Sequence, residues 1–340
     1  MKVLIVGGTG FIGPFVARAL QENGHEVAVF HRGKSNMDLP VEHILGDWSE
    51  LGILRPRAGV VIDFILSSGR QARELMDAFR GIARRVVAIS SCDVYRSCGV
   101  LHGSEDGPLE PVPLTEESAL RTKPAYPPEQ MRKLRALVPW LDDEYDKIPA
   151  ERIVMGDPKI AGTVLRLPMV YGPGDFAHRL WPVLKRIDDG RRAIIFEESL
   201  AQWRAPRGYV ENVAAAIARA AIDDRAAGRV YNIAERPAFS ELEWARKIAA
   251  ATKWPGEFVV LPRERAPRHL VFPGNAAQHW EVDSSRIRRE LDYSEPVPIE
   301  EGIRRTIEWE RANPPGAAAS LHPPFDYAAE DAALSARGAA

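Results

Sequence analysis

Residues 2–13 read KVLIVGGTGFIG, an apolar run followed at once by glycines at positions 7, 10 and 13. Apolar residues then recur at helical spacing as far as Asn23-Gly24, which is typical of a helix end. A strand, a glycine-rich turn and a helix suit a dinucleotide diphosphate, because small residues let the backbone approach the phosphates and the helix presents free N–H groups. The segment therefore predicts a dinucleotide site that includes Gly7, Thr9, Gly10, Phe11, Ile12 and Gly13.

Length and composition narrow the class of protein. The chain has 340 residues, 45% of them hydrophobic, and a formal net charge of −2. This predicts one large domain or a domain with a smaller lobe, and gives no general attraction to nucleic acid or to anionic membranes. With no apolar stretch of bilayer length and no signal peptide, a cytoplasmic protein is expected. The two cysteines and eight scattered histidines indicate neither a disulfide framework nor a metal site.

Strand-like and helical segments alternate along the first half of the chain. Strands are predicted at 26–30, 41–45, 59–65, 85–90 and 163–167, with a helix at 70–83. This alternation predicts an α/β fold, a doubly wound parallel sheet with helices on both faces. Residues 99–139 are rich in proline, glycine and charge, and predict a long irregular excursion over the mouth of the sheet.

The remaining segments predict a smaller C-terminal lobe. Helices are expected at 210–222, 240–252, 284–291 and 299–312, and a strand at 230–233. We expect residues 1–175, with returning segments near 205–235, to form the dinucleotide-binding domain. Residues 176–204 and 236–312 would then form a substrate-binding lobe. The alanine- and proline-rich residues 313–340 predict a partly ordered tail with a short helix at 327–334.

The residues after the second predicted strand bear on the choice of dinucleotide. An acidic residue at this place accepts the ribose hydroxyls and repels a 2′-phosphate, but here the strand is followed by His31-Arg32-Gly33-Lys34. Because the Arg32 guanidinium suits bidentate phosphate binding, NADP(H) is expected in preference to NAD(H), unless the run is simply a solvated basic loop. Asp47, after the third strand, is either an acceptor for the adenine amino group or a plain turn residue.

Four further motifs follow along the chain: Ser90-Ser91-x-x-Val94-Tyr95, Lys147-x-x-x-Glu151, Val170-Tyr171-Gly172-Pro173-Gly174 and Val230-Tyr231-Asn232-Ile233. Together with the glycine turn, they resemble the extended short-chain dehydrogenase/reductases, the NAD-dependent epimerase/dehydratase group, over about residues 1–312. The resemblance implies a Rossmann domain with a C-terminal substrate lobe, catalysis by a serine, a tyrosine and a lysine, and a homodimer. It also implies cofactor contacts from Ser90, Lys147, Pro168 and Val170.

The sequence departs from the family pattern at the catalytic tyrosine. Ser91 matches the serine that hydrogen-bonds the reacting oxygen, and Lys147 matches the lysine that holds the nicotinamide ribose and lowers the pKa of the tyrosine. The family spacing would put that tyrosine at residue 143, which is Asp143, whereas the nearest phenol is Tyr145. Three alternatives stay open. Tyr145 reaches the site because Pro149 delays the helix start, Asp143 pairs with Lys147 and replaces the phenol, or another residue serves.

The substrate side also departs from the family pattern. Met169 stands where nucleotide-sugar enzymes often carry an asparagine, and Arg204 and Arg207 lie where family members use an arginine against substrate phosphate. The candidate substrate contacts are Ser91, Asp93, Tyr95, Met169, Arg204 and Arg207.

The function predicted from these features is an NADP(H)-dependent oxidoreductase that acts on a small-molecule secondary alcohol or ketone by hydride transfer. One alternative is a nucleotide-sugar epimerase or dehydratase with transient oxidation. A second is a catalytically weak cofactor-binding scaffold or RNA-binding protein, although the slightly acidic charge balance argues against nucleic acid as a partner.

Overall fold

The computed structural model describes residues 1–34, 37–54, 59–124, 126, 128–138, 141–316, 322 and 324–337. Its strands are short runs rich in Val, Ile and Leu, which favour extended backbone when both faces of a sheet are covered. The strands are β1 (Lys2–Val6), β2 (Glu26–His31), β3 (Glu42–Leu45), β4 (Val60–Asp63), β5 (Arg85–Ser91), β6 (Ala161–Leu167), β7 (Met169–Tyr171), β8 (Ala193–Glu197), β9 (Arg207–Tyr209), β10 (Arg229–Asn232) and β11 (Glu257–Leu261).

The helices begin at local signals in the sequence. The Ser68 side chain accepts the N–H of Gln71 at the start of the second helix, and Ser240 with Glu243 forms a capping box at the ninth. The helices are α1 (Gly13–Glu22), α2 (Gly69–Phe79), α3 (Arg96–His102), α4 (Pro128–Leu137), α5 (Lys147–Gly156), α6 (Trp181–Asp188), α7 (Glu198–Gln202), α8 (Val210–Ile222), α9 (Glu241–Thr252), α10 (Ser285–Leu291), α11 (Ile299–Ala312) and α12 (Tyr327–Arg337).

Seven strands form one parallel sheet in the order β3-β2-β1-β4-β5-β6-β10. The order reverses direction between β1 and β4. In open α/β sheets, ligands bind beyond the carboxyl ends of the strands at such a reversal. The prediction of a doubly wound parallel sheet is confirmed, and the topology fixes where the site must lie.

The two faces of the sheet are covered by different helices. Val3 and Ile5 of β1 belong to the core that includes buried residues of α1 and α8, whereas Leu4 and Val6 belong to the core that includes residues of α2 and α5. Side chains alternate between the two faces of a strand, so a continuous apolar strand is needed when both faces are covered. The first strand is therefore buried on both sides, which fixes the position of the glycine turn that follows it.

Two small parallel sheets lie outside the main one, β8 with β11 and β7 with β9. The helix α12 packs on the first of these through Ala333 and Leu334. Its Glu330 carboxylate is fully buried and pairs with Arg186 and His269. The predicted helix at 327–334 thus exists, extends to residue 337 and is anchored to this chain. The division into a cofactor domain and a substrate lobe stays a prediction.

The segment 99–139 is more regular than predicted. The helix α3 extends into this segment as far as His102, and Gly103, with a φ of +74° that suits glycine, caps its C-terminus. The helix α4 lies in the second half of the segment. Both helices are too short for their apolar period to emerge from a proline-rich sequence. Within the described ranges, no helix is long and apolar enough to cross a membrane.

Candidate active site

A cleft of about 680 Å³ lies at the carboxyl edge of the sheet, above the reversal between β1 and β4. Its volume falls within the range of small-molecule and cofactor sites. One end is lined by Arg32, Lys34 and Asp47, and the other by Ser90, Lys147 and Phe176. The cleft therefore runs from the loops after β2 and β3 to the ends of β5 and α5.

The glycine turn between β1 and α1 forms the floor of the cleft. A Cβ on Gly13 would lie 2.1 Å from the carbonyl oxygen of Gly8, so this position excludes a side chain. Gly7 has a φ of +74°, and a Cβ there would meet Ile65 at 2.3 Å. Gly10 differs, because a Cβ there meets nothing within 4 Å and would project into open space. Two glycines are thus required by the fold, and the third leaves room for a ligand.

The start of α1 provides a site for phosphate. Within the described residues, no side chain caps this helix, and its first turn contains no acidic residue. Its uncapped N–H groups and the helix dipole favour an anion at this point. The open cradle at Gly10 and the uncapped helix together fit the diphosphate of a dinucleotide.

Most of the predicted cofactor residues line this cleft. Pro168 and Val170 are not among the described residues that line it, and the Val170 side chain is buried in the core. Instead, the loop after β7 contributes Gly174 and Phe176. The predicted residues that do line the cleft are Gly7, Thr9, Gly10, Phe11, Ile12, Gly13, Arg32, Asp47, Ser90 and Lys147.

The far end of the cleft, beyond β2 and β3, carries positive charge. Arg32 and Lys34 are exposed and line the cleft, and neither makes an ion pair within the described part of the chain. His31 lies beside them, with Nε2 2.9 Å from Nδ1 of His43. Its Nδ1 accepts the N–H of Gly33, so the ring donates through Nε2 in the neutral form. Among the described residues, Arg32 and Lys34 are thus cations at this end without an ion-pair partner, and an anionic group could bind them.

Lys147 lies at the opposite end, at the first residue of α5. Its Nζ donates to the carbonyl oxygen of Ile89 at 2.9 Å and to that of Leu66. Burial lowers the pKa of Lys147 to about 8, although the nearby carboxylates of Asp93, Asp63 and Glu151 oppose this shift. The ammonium is thus held at the ends of β4 and β5, facing the cleft.

Asp63 is a buried carboxyl at the end of β4. Its Oδ1 accepts the N–H groups of Ile65 and Leu66, at 2.8 and 2.6 Å. Its Oδ2 is buried and has no hydrogen-bond partner among the described residues. Burial raises the pKa of Asp63 to about 7, against the lowering effect of these N–H groups and of Lys147. The prediction from sequence missed this group because it lies inside an apolar strand.

The two serines at the end of β5 have different environments. The Ser90 hydroxyl donates to the Glu151 carboxylate at 2.5 Å. This carboxylate also pairs with Arg166 at 2.7 Å. Ser91 is half-buried, and its Oγ accepts the N–H of Asp93 at 3.2 Å. The Ser91 hydroxyl hydrogen therefore remains available to a ligand oxygen.

Tyr145 precedes α5 and is not part of it. The helix is capped by the Asp146 side chain, which accepts the N–H of Ile148, so Tyr145 lies in an irregular segment where helical spacing does not apply. Its hydroxyl donates to Oδ2 of Asp93 at 2.7 Å. Burial and the charge of Asp93 raise the pKa of Tyr145 well above its usual value. A tyrosine two residues before the lysine thus reaches the end of β5.

The pairing of Asp143 with Lys147 that the sequence left open is wrong. The Asp143 side chain is 97% exposed, and its carboxylate lies 3.9 Å from Arg135. Both residues would share a face on a regular helix, but the helix begins only at Lys147. Asp143 therefore remains in the loop and outside the cleft.

Tyr95 also lies away from the cleft. It is fully buried, with its hydroxyl donating to Asn232 at 2.6 Å and accepting from Arg166 at 3.0 Å. The Arg166 guanidinium lies over its ring at 4.9 Å. The predicted contact with substrate is not retained, because this phenol is part of an interior network joining β5, β6 and β10.

The predicted substrate arginines are both occupied. Arg204 donates to the carbonyl oxygen of Ala238 and pairs with Glu243, and Arg207 pairs with Glu241. Met169 is partly buried and packs against the same hydrophobic cluster as the aromatic side chains of Trp203, Tyr126 and Phe272. The surroundings of Met169 are therefore apolar and aromatic.

Several groups near Asp93 escaped the analysis of the sequence. Arg121 is 5% exposed, donates from Nε to the Asp93 carbonyl oxygen at 3.0 Å and pairs with Asp146 at 2.8 Å. His102 lies against Tyr126, with ring centroids 5.2 Å apart. These residues come from the proline-rich segment, where no pattern indicates which side chains turn inward. Among the described residues, no group of three metal-binding side chains is found.

The parallel sheet, the glycine turn and the cleft at the strand ends define a Rossmann-type dinucleotide-binding protein. The model of the NAD dependent epimerase/dehydratase family matches residues 3–58 and 144–234. Over these two segments the chain is similar to the NAD-dependent epimerase/dehydratase group, and solved structures of extended short-chain dehydrogenase/reductases share its fold.

Individual relatives are distant. The chloroplast stem-loop binding protein of 41 kDa b from Arabidopsis thaliana is 30% identical over 149 residues, which cover 36% of this chain and 39% of that protein. A 2-alkyl-3-oxoalkanoate reductase from Stenotrophomonas maltophilia is 25% identical over 90% of this chain and 98% of its own length. The solved UDP-glucose-4-epimerase from Stenotrophomonas maltophila, with bound NAD, has a TM-score of 0.66 at 18% identity, covering 92% of this chain and 98% of that one. This last likeness concerns the fold alone.

Proposed function

We propose that this protein is an NADP(H)-dependent oxidoreductase that interconverts a secondary alcohol and a ketone. The observation that carries the proposal is the arrangement of three side chains around the end of β5. Lys147 lines the cleft and donates to Ile89, and Ser91 and Tyr145 both hydrogen-bond Asp93 just beyond this strand. When bound there, the nicotinamide supplies or accepts the hydride.

Each group has a task that follows from its position. The ammonium of Lys147, fixed by two backbone carbonyls, binds the ribose hydroxyls next to the nicotinamide. The free hydroxyl hydrogen of Ser91 donates to the substrate oxygen and orients it. Tyr145 exchanges the proton of that oxygen. The segments 176–204 and 236–312 form the lobe that covers the substrate.

The preference for NADP(H) rests on Arg32 and Lys34. Both line the cleft beyond β2, and neither is neutralised by an ion pair within the described residues. A planar guanidinium binds a phosphate through two parallel hydrogen bonds. Asp47 is exposed, follows β3 and lines the same end of the cleft, and we assign it the hydrogen bond to the adenine amino group.

A ketone is favoured over a nucleotide sugar because the arginines that would bind a substrate diphosphate are engaged. Arg204 and Arg207 pair with Glu243 and Glu241, and releasing either would leave a partly buried carboxylate without its partner. The aromatic surroundings of Met169 suit an apolar substrate. The relative named as a 2-alkyl-3-oxoalkanoate reductase, which matches over nearly its full length, also supports a ketone substrate.

The test is consumption of NADPH and NADH with a panel of ethyl acetoacetate, acetophenone, UDP-glucose and dTDP-glucose. Net oxidation of NADPH by a ketone, abolished in Lys147→Ala, is expected. Conversion of a sugar nucleotide with no net change in coenzyme would instead identify an epimerase or dehydratase.

The plant relative supports a second candidate function, RNA binding, because its name describes a stem-loop binding protein. A labelled RNA stem-loop added to the protein distinguishes the two. Saturable RNA binding in the absence of any ketone turnover would replace the proposed enzyme with a binding protein.

A further inference from the structure

A buried polar cluster lies just beyond β5. Its centre is Asp93, which is 1% exposed. Oδ2 of Asp93 accepts the hydrogen bond from Tyr145, whereas Oδ1 is buried and has no partner within the described part of the chain. A carboxylate oxygen without a partner is costly inside a protein and is retained where it serves a function.

Asp93 is surrounded by charged and titratable groups from three segments. Arg121 and Lys147 are the cations, and their charges stabilise a carboxylate that water does not reach. Ser91 is linked to the same turn, because its Oγ accepts the Asp93 N–H. The titratable or charged groups around Asp93 are the adjacent Cys92, Cys98 and His102 of α3, Arg121 and Tyr126 of the following loop, and Tyr145 and Lys147.

The hydrogen bond between Tyr145 and Asp93 has a definite direction. The phenol donates to the carboxylate, so the lone pairs of the phenol oxygen are left for another donor. A negative charge on the phenol would lie 2.7 Å from the carboxylate oxygen, and the two charges would repel. This arrangement disfavours a phenolate, so the phenol proton can move to Asp93 only as the phenol oxygen takes up another proton.

We propose that Asp93 accepts the substrate proton through Tyr145, and that this pair replaces the tyrosine missing at position 143. In the oxidation direction, the O–H bond of the alcohol breaks and its proton bonds to the Tyr145 oxygen, while the Tyr145 proton moves to Oδ2 of Asp93. The electron pair of the carbinol C–H bond leaves with the hydride, which the proposed function assigns to the bound nicotinamide. The products are a ketone and a neutral Asp93, and reduction runs the same steps in reverse.

This inference rests on the proposed function. Tyr145 is the group that touches the substrate, and Asp93 is a positioning residue that also holds the proton. In Asp93→Asn the amide oxygen still accepts the Tyr145 hydrogen bond but cannot take up its proton. We expect kcat for the best ketone of the panel to fall about 100-fold or more, with KM and NADPH affinity changed less than about threefold.

The pH profile and a double variant separate proton transfer from simple structural support. In Asp93→Asn, the dependence of kcat on pH should differ from that of the wild type, because the proton acceptor of the relay is gone. Tyr145→Phe should lose as much activity, and the double variant should be no worse than either single one, since the two groups act as a unit. Asp142→Asn is the matched control, because Asp142 is also a buried carboxylate and pairs with Arg70. This variant should keep the activity of the wild type. Full turnover and an unchanged pH profile in Asp93→Asn would overturn the inference.

A second readout does not depend on turnover. In protein labelled with ¹³Cζ-tyrosine and saturated with NADP⁺, the Tyr145 signal, assigned through Tyr145→Phe, should remain that of a neutral phenol to about pH 10. Asp93→Asn should lower the pKa of this phenol, because the neighbouring negative charge is gone. A Tyr145 phenolate near pH 8 in the wild type would refute the relay even if every ketone assay is negative, whereas failure of all ketones refutes only the proposed substrate class.

Discussion

The two ends of the cleft follow the family pattern to different degrees. At the cofactor end, the turn after β1 keeps the spacing of the family and places Gly7, Gly10 and Gly13 under the ligand space. At the proton-transfer end, the tyrosine is displaced by two residues and hydrogen-bonds a buried aspartate. In the proposed function, diphosphate binding therefore depends on one contiguous segment, whereas proton exchange uses side chains distant in sequence.

Gly10→Val should have the largest effect at the cofactor end. A Cβ on Gly10 meets no protein atom within 4 Å, so the fold tolerates it, but the added methyl groups occupy the space of the diphosphate. We expect NADPH and NADH affinity to fall roughly 100-fold or more, with the melting temperature unchanged within about 2 °C.

Gly156→Val provides the control, since a Cβ at this exposed helix end also meets nothing within 4 Å. Fluorescence titration and thermal unfolding measure both variants. Normal coenzyme affinity in Gly10→Val would mean that the diphosphate lies elsewhere.

Lys147→Met tests the lysine at the end of the cleft opposite Arg32 and Lys34. The change removes a buried cation that faces the cleft and donates to two backbone carbonyls. We expect kcat to fall about 30- to 100-fold and the Kd of NADPH to rise several-fold. Steady-state kinetics and coenzyme titration check this, with Lys185→Met on α6 as the control; an unaffected kcat would remove Lys147 from the site.

Arg32→Ser sharpens the description of the cofactor end. Loss of the guanidinium should weaken NADPH binding about tenfold and leave NADH binding within about twofold, because only NADPH carries a 2′-phosphate. Paired titrations of the two coenzymes measure this. The exposed Arg18→Ser on α1 should change neither affinity, and an equal loss for both coenzymes would argue against the assigned phosphate contact.

Asp63→Asn tests the buried carboxyl beside Lys147 through stability. Because the pKa of Asp63 is raised to about 7, the folded state keeps a proton between about pH 4 and pH 7 that the unfolded state has lost, so this group makes stability fall as pH rises through that range. The asparagine variant lacks this contribution.

The melting temperature of Asp63→Asn minus that of the wild type should therefore increase between about pH 5 and about pH 8. The increase corresponds to a few kcal/mol in the free energy of unfolding. Asp77→Asn, at an exposed carboxylate on α2, should show no such trend. A constant difference across this pH range would mean that Asp63 is ionised throughout.

Asp143→Asn should have the smallest effect. Its carboxylate is exposed and lies outside the cleft, so kcat should stay within about twofold of the wild type. Steady-state kinetics decide this. A large loss would restore Asp143 as the replacement for the missing tyrosine and contradict the role given to Tyr145.

The sequence predicted the sheet and the glycine turn well because both depend on local patterns. An apolar run followed by regularly spaced glycines identifies β1, the turn and α1 without knowledge of the rest of the chain. The other strands of the main sheet were predicted with errors of one or two residues at their ends, as for β4, which stops at Asp63.

The proton-transfer end was less predictable because it depends on contacts across long stretches of chain. Asp93 and Tyr145 are 52 residues apart, and Arg121 comes from a proline-rich segment without a hydrophobic period. The Asp146 cap makes α5 begin at Lys147, so Tyr145 lies before the helix and its direction does not follow helical spacing. No local rule identifies Asp93 as the partner of that phenol, since its burial results from the packing of α3 and the loop around it.

Calorimetric titration of the purified protein with NADPH, and separately with NADH, tests the central claim most directly. The account predicts saturable binding at one site per chain, tighter for NADPH, and lost in Gly10→Val while the fold persists. Absence of saturable binding of either coenzyme would contradict it, because every proposed role of Ser91, Tyr145 and Lys147 depends on a dinucleotide in this cleft.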